Sequence, residues 1–119
     1  MVTNMNSQHP IFDYPALFNR LAGNQVLIKK LSFQFISSIR IHIDNIYEAI
    51  NSNDLDTTKS IAHTLVGSAS SIGCMQLSHI AAKIELKSAE NNMRFINNEL
   101  FELEECYELT KKSLHQKLL

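Results

Sequence analysis

The sequence predicts an all-α fold, an antiparallel four-helix bundle with a short additional N-terminal helix, and three observations predict it. Only three Gly and two Pro occur in 119 residues, and both Pro lie among the first fifteen. Few breakers in a chain of this length mean long helices. Within the unbroken stretches apolar residues return at spacings of three and four, the period of a helix with one buried side. Short polar clusters separate the stretches, so that four apolar stripes joined by brief connections must bury one another.

Residues 1–11 are polar, aperiodic and interrupted by Pro10, and are expected to form a flexible N-terminal tail ahead of one helical domain over 12–119. Asp13 is placed to cap a first short helix, with Pro15 in a turn where its missing N–H costs nothing and Gly23 as the stop. From Asn24 to Ile50 no Gly or Pro interrupts 27 residues. Leu27, Leu31, Phe35, Ile39, Ile43, Ile46 and Ile50 mark the expected buried side, with Phe33 and Ile41 off it. The many Ile and Phe favour strands weakly, but a run this long without a turn is a helix. Asn51 to Asp54 read as a turn with Asp54 as N-cap. Leu55–Ile72 follows with Thr58, Ile61, Leu65, Ala69 and Ile72 in line, and Gly73 ends it. Cys74–Glu90 places Leu77, Ile80, Ala81, Ile84 and Ser88 on one face. After a connection at Asn91 and Asn92, the last helix aligns Met93, Ile96, Leu100, Leu103, Tyr107, Leu114 and Leu118. Lys111, Lys112 and Lys117 near its end suit the helix dipole.

Composition narrows the function. Eleven Lys and Arg against twelve Asp and Glu leave a formal net charge of -1, which gives no global attraction to nucleic acid or to an anionic membrane. Apolar runs stay well short of the roughly 18 residues that cross a bilayer, so no membrane insertion is expected. The N-terminus lacks the basic and apolar regions of a secretory signal. Cys74 and Cys106 have neither metal-type nor redox-type spacing and read as reduced thiols, pointing to a cytoplasmic protein. There is no phosphate loop and no cluster of metal ligands, so neither a cofactor nor a metal of its own is expected.

One histidine stands out. At about 100° per residue, with Ile61 at zero, Leu65, Ala69 and Ile72 lie near 40°, 80° and 20° and His63 near 200°. His63 therefore points to solvent. Lys59, Val66, Gly67 and Ser70 share its side of the helix. A mid-helix glycine costs about 1 kcal/mol relative to alanine. The physical return is access, since no side chain at 67 and a small one at 70 leave the imidazole open to a reactive group brought by another protein. The alternative is ordinary, a surface histidine beside a glycine used for close helix packing.

The string Ala62-His63-Thr64-Leu65-Val66-Gly67-Ser68-Ala69-Ser70-Ser71-Ile72-Gly73, with Leu77 and the later Ile84-Glu85, closely resembles the signature of histidine phosphotransfer (HPt) domains. Leu21-Ala22-Gly23-Asn24 before a long apolar helix resembles the family's opening, so the likeness spans about residues 13–118. The resemblance implies that His63 takes a phosphoryl group on its solvent-facing nitrogen. The partner it implies is a response-regulator receiver domain, a hybrid histidine kinase or both, with the catalytic Mg²⁺ bound in the receiver domain. It also implies that Glu85 hydrogen-bonds the other ring nitrogen and fixes the tautomer, a solvated helix charge being the alternative. Imidazole suits the role because its neutral form offers a free lone pair.

The chain departs from the family pattern at Val66, where a lysine is usual. That lysine would offset the incoming phosphoryl charge. Lys59, one turn before His63, is one substitute, and His79 and Lys83, on the side of the next helix away from its stripe, are others. Val66 itself is alternatively an apolar contact for a partner. Phe12, Phe18, Phe33, Ile41 and Leu86 are apolar residues outside the expected core and candidates for the same interface. Two functions follow: a carrier in a multistep His-to-Asp phosphorelay, or an HPt-like adaptor or inhibitor that binds a kinase or receiver without being phosphorylated.

Overall fold

The structure is a computed structural model and describes residues 9–118. Its five helices are α1 (Tyr14–Arg20), α2 (Gln25–Asn51), α3 (Leu55–Ile72), α4 (Met75–Ala89) and α5 (Met93–Leu118). No strand occurs among the described residues. The four long helices pack in chain order, and α2 also meets α5, which closes the bundle. Cross-helix contacts give the direction of each pair. Val66 and His63 on α3 meet Ser78 and Glu85 on α4, Lys83 and Lys87 on α4 meet Glu99 and Phe95 on α5, and Phe33 and Arg40 on α2 meet His115 and Glu104 on α5. Rising numbers on one helix face falling numbers on the next, so the neighbours run antiparallel. None of the described helices is long and apolar enough to cross a membrane.

The caps read from the sequence at Asp13, Asp54 and Gly73 form, and Asn24 adds one at the start of α2. Asp13, Asn24 and Asp54 accept from the amides of Ala16, Leu27 and Thr57 at 3.1, 3.1 and 3.0 Å. Asp54 also takes the Thr57 hydroxyl at 2.7 Å, and these two bonds hold its carboxyl below the usual carboxylate range. Gly73 ends α3 at φ +90°, a conformation that costs glycine nothing, while the Cys74 amide closes back on Ala69.

α4 starts differently. Cys74 supplies no side-chain acceptor, and the Gln76 amide donates instead to the carbonyl of Pro10 at 3.0 Å. Of the tail expected over 1–11, residues 1–8 lie outside the described residues. Residues 9–11 lie along the bundle: Ile11 packs against the core and His9 stacks on His79, ring centroids 4.4 Å apart.

The core contains the expected stripe of α4 in full and most of those of α3 and α5: Ile61 and Met93 are only half-buried, Ala62 is added on α3, and Cys106 and Thr110 are added on α5. On α2 the buried line in the first half runs through Ile28, Ser32, Phe35 and Ile36, one position on from the expected Leu27 and Leu31. Leu31 instead joins Leu17 and Leu21 of the α1 segment in lining a groove that reaches Ser68, Ser71 and Ile72 on α3. Covering α2 with α1 rotates its apolar side. Three apolar residues proposed for an interface are accounted for by packing: Phe12 is buried, Phe18 lies against the core under Gly23, and Phe33 packs on His115. Ile41 and Leu86 are exposed. Both cysteines are buried and unpaired, and burial pushes the thiols up, to about 12 for Cys74 and about 11 for Cys106.

Candidate functional site

His63 sits midway along α3 on its outer side, flanked within the helix by buried Ala62 and Leu65. The apolar residues on either side fix the azimuth of the helix, and that azimuth turns the imidazole outward. Its side chain is 75 % exposed. One ring nitrogen, Nδ1, lies 2.9 Å from Oε2 of Glu85, which projects from α4 and is itself mostly covered. A carboxylate only accepts hydrogen bonds, so the proton in this contact sits on Nδ1. In the neutral ring the lone pair is then on Nε2, the nitrogen left to face solvent.

Gly67 stands one turn further along the same side. A Cβ built there meets nothing within 4 Å. Close helix packing therefore does not explain this glycine, which leaves open ground beside the imidazole. Ser70, another small residue, is half-buried beyond it. Ser68 and Ser71 turn their hydroxyls back to the carbonyls of Thr64 and Ser68 in their own helix, at 3.1 and 2.8 Å.

The remaining candidates separate. Lys59 is exposed on α3, one turn before His63. Val66 is half-buried and packs against the core, with its carbonyl accepting from the Ser78 hydroxyl on α4 at 2.8 Å. Lys83 faces α5, where its ammonium lies 3.2 Å from Glu99 and 3.1 Å from Glu102. His79 stacks under His9. The structure thus brings Glu85 to His63, keeps Lys59 on the same helix face, and directs Lys83 and His79 to other partners. Arg20 went unnoticed in the sequence: it reaches from the end of α1 to the carbonyl of Ser71. Nothing in its sequence neighbourhood marks it, because the contact depends on how α1 crosses the bundle.

An outward imidazole, oriented through Nδ1 by a carboxylate on the next helix and cleared by a glycine, is the geometry against which the relatives can be compared. The Hpt domain model matches residues 30–113. The chain belongs to the Hpt domain family. Among curated proteins this Hpt chain is similar to the phosphorelay intermediate protein rdeA of Dictyostelium discoideum, 28 % identical over 105 residues. That match takes in 88 % of the chain and 39 % of rdeA, so the chain spans about two fifths of the length of the curated relative. Among solved structures it resembles the histidine-containing phosphotransfer protein HptB of Pseudomonas aeruginosa PAO1. The TM-score is 0.85 at 15 % identity, over 92 % of this chain and 95 % of that one, which establishes a shared fold.

Proposed function

We propose that this Hpt chain carries a phosphoryl group on His63 between receiver-domain aspartates in a multistep phosphorelay. The observation that carries the reading is the 2.9 Å contact between Nδ1 of His63 and Glu85, because it assigns the lone pair of the neutral ring to Nε2 on an exposed imidazole. Membership of the family and the likeness to a phosphorelay intermediate support it.

In the forward step the Nε2 lone pair attacks the phosphorus of an aspartyl phosphate on the receiver. The N–P bond forms as the acyl P–O bond breaks, and the aspartate leaves as a carboxylate with the bonding pair. No proton has to leave the attacking nitrogen. Positive charge develops on the ring, and the Glu85 carboxylate at Nδ1 stabilises it. Return transfer to another receiver reverses the same bonds. The Mg²⁺ of the reaction belongs to the receiver, where it offsets charge on the transferring oxygens. Lys59, exposed one turn before His63, assists in this reading, since Lys83 is engaged by two carboxylates.

The partner is a receiver domain, free or within a hybrid histidine kinase, and the place of action is the cytoplasm. It covers the outer side of α3, the adjoining face of α4 and the groove between α1, α2 and α3.

The test is phosphotransfer from a panel of phosphorylated receiver domains to the wild-type chain and to His63→Gln. Acid-labile, alkali-stable label on the wild type and none on the variant is the expected result. A receiver that binds both proteins and labels neither sinks the carrier reading and leaves an adaptor.

A further inference from the structure

We infer that Ser78 is a positioning residue for His63, acting through Glu85 by fixing the axial register of α4 against α3. Among the described residues two hydrogen bonds cross between these helices: Ser78 Oγ to the Val66 carbonyl at 2.8 Å and His63 Nδ1 to Glu85 at 2.9 Å. Ser78 and Glu85 lie seven residues apart, two helical turns, and so share one side of α4. Val66 lies three residues beyond His63 on α3. The two bonds therefore tie the same pair of helices at His63 and one turn beyond it.

The rest of that interface is apolar. Ala62, Leu65 and Ala69 of α3, and Leu77, Ala81 and Ile84 of α4, are all buried. Apolar burial is non-directional and does not by itself single out one axial register. A hydrogen bond has a narrow range of useful distances. The anchor at Val66 thus limits sliding that would draw the Glu85 carboxylate away from Nδ1. Ser78 is also nearly fully buried, 6 % exposed, and its hydroxyl does not compete for water. The Val66 carbonyl already accepts from its own helix, so removing the Ser78 hydroxyl orphans nothing and the variant should fold.

The proposal rests on the carrier reading for its kinetic arm alone. Wild type, Ser78→Ala, Glu85→Ala and the double variant are compared by circular dichroism, by nitrogen-15 NMR of the His63 ring, and by transfer from a phosphorylated receiver domain. Ser78→Ala is expected to keep the helical spectrum and to move the ring from the Nδ1–H tautomer towards the Nε2–H tautomer, in the direction of Glu85→Ala. Transfer should slow by roughly three- to tenfold, as for a small misplacement of a reacting group. The double variant should match Glu85→Ala, because Ser78 acts through that residue. A wild-type tautomer in folded Ser78→Ala overturns the proposal, as do losses that multiply in the double variant. If the wild type takes no phosphoryl group, the carrier reading fails, while the tautomer still decides the role of Ser78.

Discussion

Gly67 makes the sharpest prediction at the scale of single residues, because its two effects oppose each other. It lies in the interior of α3, where glycine is the poorer helix former, and a Cβ at that position touches nothing. Gly67→Ala should raise stability by about 0.5–1 kcal/mol in chemical denaturation. The same methyl narrows the approach to His63 and should slow phosphotransfer. A variant that is stabilised and transfers at the wild-type rate would show that access is not why a glycine stands there. His63, Gly67 and Glu85 were legible in the sequence, two from helical angle and one from the family's closing residue pair. The contacts of Lys83 and Ser78 were not. Lys83 is drawn to Glu99 and Glu102, sixteen and nineteen residues away, and Ser78 bonds a backbone carbonyl that no side-chain pattern records.

At the scale of elements, the start of α4 depends on a segment that the sequence presents as a tail. Cys74 has no oxygen to offer as a cap, so an amide of the first turn needs an outside acceptor, and Pro10 provides it. The His9–His79 stack lies beside that bond. The His79 pKa is held below the ordinary imidazole value, first by partial burial and then by His9 and Lys83, while Glu99 and Glu102 pull the other way. A released segment exposes His79 and binds a proton more readily than the docked one. Docking is thus fully favourable above the ordinary value of about 6.5 and weakens as pH falls through it. Exchange of the Gln76 amide, corrected for its intrinsic rate, should quicken between about pH 7.5 and pH 5.5, and His79→Gln should flatten that dependence. An amide protected equally at both pH values would rule the stack out as the cause. The rotated apolar side of α2 has a similar origin. Periodicity finds a stripe, but which flank of it is deepest depends on whether α1 covers Leu31.

The described residues form a ring of four long helices with α1 against it, 43 Å in the longest dimension, close to the length of a 27-residue helix at about 1.5 Å per residue. Its architecture was legible because each long helix carries its own apolar line and each connection is short. The closure of α2 onto α5 was not, since its polar tie joins Arg40 to Glu104 at 2.9 Å across 64 positions. That pair is about a third exposed, and contributes at most modestly to stability. Stability resides in the core, and the site is on the surface. Ile43, fully buried in α2, separates the two. Ile43→Ala should cost about 2–4 kcal/mol in urea denaturation, and the folded fraction should accept phosphate at the wild-type rate. A selective loss of transfer in that variant would mean that core packing reaches the imidazole.

An imidazole three-quarters open to solvent is as available to water as to a partner. In the proposed carrier, burial therefore would not protect an N–P bond, and its lifetime between two encounters would rest on the slowness of unassisted hydrolysis. Such a carrier is a timer as well as a relay: the interval over which a signal survives in transit is set by chemistry at one exposed nitrogen.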